Sequence, residues 1–231
     1  MGRAVMAKLG AEPGEALWMQ LRDTGRYMLD NGLSWGNAGN ISARVDADRY
    51  LITASGTDMG ELSERDFALC SIGTGASVQP DGPKPSKETP MHQAVYELRP
   101  DINAVLHASP FYSTMAACGG DSIPADLFVE AMYYLEKVER VPYCHPGSRE
   151  LGDAVKAKAR AANVLLLENH GVLVCDANLR EARMALHTLE MACRMLFAAK
   201  SAGTALRPLT PATVDSFLNE SGYRPRRKWG Q

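Results

Sequence analysis

The sequence has 231 residues, of which 45% are hydrophobic and 23% are charged, a composition typical of a soluble globular protein with one substantial core. The formal net charge of −2 gives no argument for nucleic acid or an acidic membrane surface as a partner, and no apolar run of about 18 residues predicts a membrane span. Five scattered cysteines without a Cys-x-x-Cys pair, and an N-terminal segment without the apolar centre of a secretory signal, favour a cytoplasmic protein with reduced thiols.

The first half of the chain predicts a helix, a two-stranded hairpin and a second helix. The first helix stops at Asn31-Gly32, and its apolar stripe consists of Leu17, Leu21, Met28 and Leu29. The segments GNISARV and RYLITAS predict two strands that turn around Asp46-Ala47-Asp48. Thr89 is the expected N-cap of the second helix, with Pro90 in the first turn, where its missing N–H costs nothing.

The second half predicts further strands, followed by two helices. The runs NAVLHAS and NVLLLENHGVLVC are typical of buried strands. Asn178 and Glu181 form a capping pattern before a long helix, and Thr210-Pro211 begins the last helix. The basic tail 224–228 is interpreted as a solvated terminus or as an anion clamp for a neighbouring subunit. Since there is no linker or internal repeat, we expect residues 1–231 to form a single α/β or α+β domain with helices covering a sheet.

Two turns of small residues could bind an anion through backbone N–H groups. GNAGN, which contains Gly39 and Asn40, lies between a helix end and a strand. ASGT, which contains Ser55 and Gly56, follows another strand. Turns of this composition are also common for steric reasons, so each is a weak signal on its own.

The segment PSKETP is a stronger candidate for an anion site because it stands at a predicted helix N-terminus. The unpaired N–H groups and the helix dipole favour anions there, Ser86 adds a hydroxyl group, and Lys87 adds a positive charge. Glu88 stands at the edge of this turn, where a carboxylate could act as a base or reach a metal. The alternative is that Ser86 and Thr89 only cap the helix.

Two histidines each follow an apolar run at the end of a predicted strand. His107 ends AVLH and His170 ends VLLLENH, so the two could meet Glu88 at one edge of a sheet and bind zinc. A lone histidine at a strand end is more often structural, and the spacing alone leaves both interpretations open. His92, one helical turn after Glu88, is equally consistent with a helix-surface residue.

In this order along the chain, GNAGNIS, LITASG, KPSKETPMH, RPDINAVLH and LLLENHGVLV resemble the motifs of the class II aldolase and adducin-head family. The resemblance runs from about residue 17 to residue 199, and the ordered set is far more specific than any single motif. It implies a three-layer α/β/α domain with a central, largely antiparallel sheet. It also implies a homotetramer with active sites between neighbouring subunits and, in the aldolases, a zinc ion bound by three histidines and a glutamate.

The resemblance also implies roles for individual residues. Glu88 matches the glutamate that serves as a zinc ligand and a proton-transfer group, and His107 and His170 match the first and last zinc histidines. The pocket for the anionic group of the substrate would consist of Gly39, Asn40, Ser55, Gly56 and Ser86.

Several positions depart from the aldolase pattern. Ser109 replaces the middle zinc histidine, Lys87 replaces the second serine of a Ser-Ser pair in the substrate site, and Phe128 falls where an acid tyrosine is expected. Tyrosines that could take such a role lie elsewhere, at Tyr133, Tyr134 and Tyr223.

The serine at position 109 leaves three interpretations open. Zinc or another divalent metal could stay on the three matching residues, with water in the gap. A further histidine, His145 or His92, could complete the site. Alternatively, the metal could be lost, leaving a ligand-binding or structural relative.

Together these residues predict a metal-dependent carbon–carbon lyase of the aldolase type that cleaves a small phosphorylated or carboxylated keto-sugar through a metal-stabilised enediolate. Lys87 could pair with a substrate carboxylate, so a decarboxylase is an alternative, as are an epimerase and a dehydratase on the same scaffold. A non-catalytic module for oligomerisation or ligand binding is the alternative from another class. The expected partners are a small anionic substrate and other copies of the chain.

Overall fold

A seven-stranded sheet forms the centre of the fold in the computed structural model, which describes residues 17–225 and 227. In space the strands are ordered β3-β2-β1-β4-β7-β6-β5. All neighbouring strands pair antiparallel except β5 and β6, which are parallel. The strands are β1 (Asn40–Arg44), β2 (Arg49–Thr53), β3 (Phe67–Ser71), β4 (Ala104–Ala108), β5 (Val138–Val141), β6 (Val164–Leu167) and β7 (Gly171–Asp176).

Helices cover both faces of this sheet. One face packs against α1, α3, α4 and α6, and the other packs against α2 and α5. The predicted three-layer α/β/α arrangement with a largely antiparallel sheet is therefore confirmed. The helices are α1 (Leu17–Asp30), α2 (Thr89–Leu98), α3 (Phe111–Cys118), α4 (Val129–Tyr134), α5 (Arg149–Ala159), α6 (Leu179–Ala202) and α7 (Pro211–Asn219), with a 3-10 turn at Glu64–Asp66.

Strand β4 shows why its sequence is a continuous apolar run ending in a histidine. It lies at the centre of the sheet between β1 and β7, and all five of its residues are buried. Side chains alternate between the two faces, so Leu106 packs into the core under α6, while Val105 packs into the core under α2 and α5. By the same alternation His107 lies on the face covered by α2, which is the helix that follows Glu88.

Most predicted element boundaries agree with the structure, but one predicted helix cap is wrong. The N-cap of α2 is Glu88, and Thr89 is the first residue of the helix. The Thr89 hydroxyl group donates a hydrogen bond of 2.6 Å to the carbonyl oxygen of Ser86, which closes the preceding turn instead of capping the helix. At α6 the predicted cap is confirmed, since the Asn178 side chain accepts a hydrogen bond of 2.9 Å from the Glu181 N–H.

The basic tail is only partly described, and its described arginines are paired. Arg224 lies 2.7 Å from Glu181, and Arg227 lies 2.6 Å from Asp176 with only 8% of its side chain exposed. The interpretation as a solvated terminus is therefore wrong for these two residues, because both fold back onto the chain. The other basic residues of the tail lie outside the described residues.

The longest helix, α6, has 24 residues and buries one face against the sheet. Across residues 17–225 and 227, no helix combines the length and the apolar character that crossing a membrane requires.

Candidate metal centre and active site

Three side chains from distant parts of the sequence converge at one end of the central strands. Glu88 is the residue that precedes α2, His107 is the fourth residue of β4, and His170 stands in the turn between β6 and β7. One ligand atom from each of the three lies within 4.8 Å of the others. The predicted convergence of two imidazoles and one carboxylate is thus present in the structure.

The carboxylate of Glu88 lies between the two imidazole rings. Its Oε2 atom is 3.3 Å from His107 Nε2, and its Oε1 atom is 3.1 Å from His170 Nε2. The rings of His107 and His170 are packed edge to face, with their centroids 4.7 Å apart. All three side chains are at least 85% shielded, since their exposed fractions are 14% for Glu88, 3% for His107 and 14% for His170.

A backbone contact fixes the orientation of His107. Its Nδ1 atom lies 3.0 Å from the carbonyl oxygen of Val172 on the neighbouring strand β7. A carbonyl oxygen only accepts, so Nδ1 carries the proton and the lone pair of Nε2 faces Glu88. This is the arrangement by which an imidazole is usually held ready for a metal ion.

The turn that carries His170 is held against β4 by Ser109. The Ser109 hydroxyl group donates a hydrogen bond of 3.4 Å to the carbonyl oxygen of His170. Asn169 has a φ of 54°, in the left-handed region. A Cβ atom at Gly171 would lie 2.6 Å from the carbonyl oxygen of Ala108 and 2.8 Å from Ser109 Oγ, so only glycine allows this close approach. Ser109 therefore supports the backbone of His170 from the position where the resemblance implies a ligand.

The residues present fit a divalent cation. Glu88 Oε1 is buried and makes no hydrogen bond, although His170 Nε2 lies at ion-pair distance. A buried carboxylate oxygen without a hydrogen-bond donor, next to an imidazole nitrogen, is a costly arrangement that a cation would relieve. Two nitrogens and one carboxylate oxygen are also the donor set that zinc takes in open catalytic sites.

The charges of the site favour the forms of these residues that bind metals. Burial alone would raise the pKa of Glu88, but the contact with His170, the positive charge of either imidazole when it is protonated, and the hydrogen bond from Asn40 lower this pKa to about 2. Burial lowers the pKa of His107, which favours the neutral imidazole. Neutral histidine and ionised glutamate are the metal-binding forms of both side chains.

The predicted anion-binding segments lie side by side. Ala54 and Pro85 form an antiparallel bridge, the Ser55 N–H donates to the carbonyl oxygen of Lys84, and the Ser86 N–H donates to that of Thr53. These two backbone N–H groups are therefore used within the fold, contrary to the expectation that they would face an anion. The Ser86 hydroxyl group accepts a hydrogen bond of 3.3 Å from the Glu88 N–H, and Ser55 is exposed.

Three further residues of the predicted pocket border the same region. Gly56 has a φ of 84°, a conformation that favours glycine, and it is exposed next to Ser55. Lys87 is exposed beside Glu88, and a Cβ atom at Gly147 would lie 2.7 Å from the Lys87 carbonyl oxygen. Gly39 approaches His107 so closely that a Cβ atom there would lie 2.7 Å from the His107 carbonyl oxygen.

Asn40 is buried and lies in contact with Glu88. Its amide nitrogen donates a hydrogen bond of 2.7 Å to Glu88 Oε2, and its amide oxygen lies 2.6 Å from Nε2 of His92. Both ends of the side chain are thus engaged within the protein. The sequence predicted Asn40 in this region, but it did not predict the contact with His92.

His92 is a buried residue, and its interpretation as a surface residue is wrong. Its Nδ1 atom lies 2.7 Å from the Ser42 hydroxyl group, which in turn lies 2.9 Å from the Tyr96 hydroxyl group. Burial lowers the pKa of His92 to about 3. With both ring nitrogens engaged, His92 is held in place and is not available to complete the metal centre. The sequence contains one indication that His92 faces the core, since His92 and Tyr96 are four residues apart and therefore share one face of the helix.

The other residues considered as a further metal ligand or at the position of the acid tyrosine lie outside the cluster of Glu88, His107 and His170. His145 is exposed and its Nδ1 atom contacts the Tyr143 hydroxyl group at 3.3 Å. Tyr133 donates to the Pro225 carbonyl oxygen at 3.3 Å, and Tyr134 donates to Glu181 at 3.1 Å. Phe128 is the N-cap residue of α4, and Tyr223 packs against Tyr133 with ring centroids 6.2 Å apart.

Known proteins with similar sequences include a decarboxylase and an aldolase by name. A 3-oxo-tetronate 4-phosphate decarboxylase from Haemophilus influenzae is 30% identical over 84% of this chain and 92% of its own length. An L-fuculose phosphate aldolase from Escherichia coli is 32% identical over 76% of this chain and 80% of its own length.

Solved structures of similar fold extend the comparison. YgbL from Klebsiella pneumoniae, described as a candidate aldolase, epimerase or decarboxylase, superimposes with a TM-score of 0.79 and 28% identity, over 87% of this chain and 97% of that one. An L-fuculose 1-phosphate aldolase superimposes with a TM-score of 0.79 and 26% identity, over 90% of this chain and 96% of that one. Residues 19–197 match the family described as Class II Aldolase and Adducin N-terminal domain, and the protein belongs to that family.

Proposed function

We propose that the protein is a metal-dependent carbon–carbon lyase of the aldolase type that acts on a small phosphorylated or carboxylated keto-sugar. The observation that carries this proposal is the largely shielded cluster of Glu88, His107 and His170, whose ligand atoms lie within 4.8 Å of one another. A site with three protein ligands leaves coordination positions for a substrate, as catalytic zinc sites do. The relatives with aldolase and decarboxylase activities support the same reaction class.

In this proposal His107 and His170 hold the cation, and Glu88 both contacts it and moves a proton. A bound divalent cation would polarise the substrate carbonyl group and stabilise the negative charge that develops on its oxygen. Glu88 Oε1, which has no hydrogen-bond donor, is the atom available to accept a proton from a substrate hydroxyl group. The Asn40 amide holds the other oxygen of the carboxylate at 2.7 Å.

The anionic group of the substrate would lie beside this cluster. Ser55, Gly56 and Ser86 lie together where the end of β2 meets the segment before α2, and Gly39 borders His107. Hydroxyl groups at this position, together with the charge of Lys87, suit a phosphate or a carboxylate group.

A decarboxylase is the second candidate, and two observations favour it. The relative from Haemophilus influenzae is a decarboxylase by name, and Lys87 brings a positive charge next to Glu88 where the resemblance implies a serine. Both reactions break a carbon–carbon bond and pass its electron pair toward a neighbouring carbonyl group. An aldolase releases an aldehyde after a hydroxyl group loses its proton, whereas a decarboxylase releases carbon dioxide from a carboxylate.

The test combines metal analysis with two assays. We expect protein purified without chelators to carry stoichiometric metal, His170→Ala to lose it, and His187→Ala to keep it, because His187 lies elsewhere in contact with Tyr27. Cleavage of L-fuculose phosphate would support the aldolase, and carbon dioxide release from 3-oxo-tetronate 4-phosphate would support the decarboxylase. Absence of stoichiometric metal, together with a melting temperature that does not respond to added metal, would contradict both and leave a non-catalytic module.

We further propose zinc as the metal, the cytoplasm as the location and a homotetramer as the assembly. The five free cysteines suit a reducing compartment. Trp35 and Phe111, which flank Ser109, are 65% and 67% exposed, and large exposed aromatic side chains are typical of interfaces. Light scattering coupled to gel filtration tests the assembly, and a monomer at micromolar concentration would contradict it.

A further inference from the structure

Four buried side chains form a continuous hydrogen-bonded chain that ends on Glu88. From the carboxylate inward the contacts are Asn40 Nδ2 to Glu88 Oε2 at 2.7 Å, Asn40 Oδ1 to His92 Nε2 at 2.6 Å, His92 Nδ1 to Ser42 Oγ at 2.7 Å, and Ser42 Oγ to Tyr96 Oη at 2.9 Å. Asn40 and Ser42 are two residues apart on β1 and share one face of the sheet, while His92 and Tyr96 lie one turn apart on α2. The chain therefore joins the central sheet to the helix that follows Glu88.

The chemistry of each group allows only one direction of donation along this chain. A carboxylate only accepts, so the Asn40 amide must turn its NH₂ group toward Glu88 and its oxygen toward His92. That oxygen also only accepts, so His92 Nε2 must carry a proton. His92 is fully buried and neither of its hydrogen-bond partners is charged, so the ring is neutral and carries one proton, which is on Nε2. Its Nδ1 atom is therefore the acceptor of a hydrogen bond from the Ser42 hydroxyl group. Ser42 Oγ then accepts from the Tyr96 hydroxyl group.

Because the side chains of this hydrogen-bonded chain are buried, their partners are protein groups and not water. Ser42 and His92 are fully buried, Tyr96 is 2% exposed, and Asn40 is 6% exposed. Water cannot easily replace a missing partner in such a place, so the loss of one group leaves a buried polar atom unsatisfied.

We propose that His92 is a positioning residue for Glu88, which acts by fixing the Asn40 amide with its NH₂ group toward the carboxylate. Without the Nε2–H donor, the Asn40 amide oxygen loses its hydrogen bond to His92, and only the contact with Glu88 Oε2 still favours the orientation in which the NH₂ group faces the carboxylate. The fixed amide holds one carboxylate oxygen and leaves Oε1 free for the metal and the proton. What the positioning achieves for catalysis rests on the function proposed above.

The alternative is that His92 only fills space in the core. A space-filling residue needs no particular partners, yet each of the two ring nitrogens of His92 lies within 2.7 Å of a polar atom that can complete the chain. A variant that keeps the volume but loses the hydrogen bonds separates the two interpretations.

The first test compares His92→Gln with His92→Leu, measuring zinc affinity by competition with a chromogenic chelator. A glutamine amide can donate to Asn40 and accept from Ser42, so we expect His92→Gln to stay within a few-fold of wild type. We expect His92→Leu to bind zinc about 10- to 100-fold more weakly, which is the usual effect of losing a partner that orients a metal ligand. In an activity assay kcat should fall with little change in KM.

Val95→Ala is the matched control for lost stability. Val95 is fully buried on α2 in the same core but makes none of the hydrogen bonds of the chain. This variant should lower the melting temperature and leave zinc affinity unchanged. Equal zinc affinity in His92→Leu and wild type would overturn the proposal, as would an equal loss in His92→Leu and Val95→Ala.

A second measurement needs neither metal nor substrate. Long-range ¹H–¹⁵N correlation spectra of the imidazole rings in the metal-free protein report which nitrogen carries the proton. We expect His92 to be neutral and protonated at Nε2, whereas protonation at Nδ1 would overturn the proposal even if no variant folds. If the wild type binds no metal, the lyase proposal fails, and this spectrum still decides the role of His92 toward Asn40.

Discussion

The Glu88 carboxylate lies between one hydrogen-bond donor and two imidazole rings. Its carboxylate accepts a hydrogen bond from Asn40 and lies within 3.3 Å of both His107 and His170, yet one oxygen has no hydrogen-bond donor. Such a residue is stabilised by positive charge and by a fixed neighbour, while its burial opposes ionisation. Its protonation should therefore be visible in the stability of the protein as well as in activity.

The pKa of Glu88 leads to a prediction for the metal-free protein at acidic pH. The folded-state pKa of about 2 lies below the ordinary value of 4.5, so the stabilising contribution is present above about pH 4.5 and is lost as the pH falls toward 2. We expect wild type to lose up to roughly 3 kcal/mol more unfolding free energy than Glu88→Gln over this range, at 1.36 kcal/mol per pKa unit. Urea denaturation at several pH values measures the difference. Parallel losses in the two proteins would contradict the lowered pKa.

Ser109 leads to a second prediction at the scale of single residues. Ser109→His restores the side chain that the aldolase pattern implies at this position, so zinc should bind more tightly than in wild type. Ser109→Ala removes the hydrogen bond to the His170 carbonyl oxygen, and we expect zinc to bind up to about tenfold more weakly. Competition with a chelator measures both. Unchanged affinity in Ser109→His would show that this position does not face the metal.

The site residues differ in how far the sequence could predict them. His107 and His170 could be predicted because each ends an apolar run, and a strand delivers its last residues to the edge of a sheet. The burial of His92 could not be predicted, because its partners Asn40 and Ser42 lie about 50 positions away in the sequence. Only the packing of α2 on β1 brings these residues together. The supporting role of Ser109 was missed for the same reason, since its partner is a carbonyl group of another turn.

At the scale of secondary structure, Gly39 joins two elements of the site. It has a φ of 98°, immediately precedes β1 and lies against the His107 carbonyl oxygen on β4. An added Cβ atom would be strained by the backbone conformation and would also collide with β4 at 2.7 Å. Since β4 carries His107, this collision should disturb the metal centre.

We therefore expect Gly39→Ala to lower both stability and zinc affinity. The control is Gly32→Ala, because Gly32 also has a left-handed φ of 66° but has open space around its Cβ position. The control should lose only the cost of the backbone conformation, roughly 1–2 kcal/mol, and keep its zinc affinity. Thermal unfolding and chelator competition compare the two. Equal behaviour of both variants would contradict a role for the contact with β4.

The elements themselves were largely predictable, and the exception has a local cause. Period-two alternation and turn residues predict the hairpin of β1 and β2, which the structure confirms through pairs such as Ser42 with Ile52. The predicted N-cap of α2 is wrong by one residue, because the Thr89 hydroxyl group bonds backward to Ser86. A preference for threonine at caps does not specify which of two competing backbone groups its side chain will choose.

At the scale of the whole molecule, the C-terminal segment returns to the sheet. Arg227 pairs with Asp176 at the end of β7, and Arg224 pairs with Glu181 in the first turn of α6. Burial raises the pKa of Asp176, while the charge of Arg227 opposes that shift. The sequence predicted a solvated tail because a run of like charges is usually exposed, and nothing local identifies its acidic partners.

We expect Arg227→Ala to destabilise the protein by roughly 3 kcal/mol, because it leaves a buried carboxylate without its cation. The effect stays at the low end of the usual range because Asp176 can take up a proton instead. Lys200→Ala is the control, since Lys200 pairs with Asp121 at an exposed position and should cost at most about 1 kcal/mol. Chemical denaturation measures both. Equal small effects would show that the C-terminal segment does not pair with the sheet in solution.

The central position of β1, β4 and β7 has a consequence for how the protein loses activity on heating. Asn40 begins β1, His107 lies on β4, and His170 immediately precedes β7, whereas the edges of the sheet are β3 and β5. Local opening starts at edges and termini, so the amide protons around the centre should exchange with solvent only when the whole chain opens. Heating should then abolish turnover in step with global unfolding, because fraying at either margin leaves the chemistry untouched.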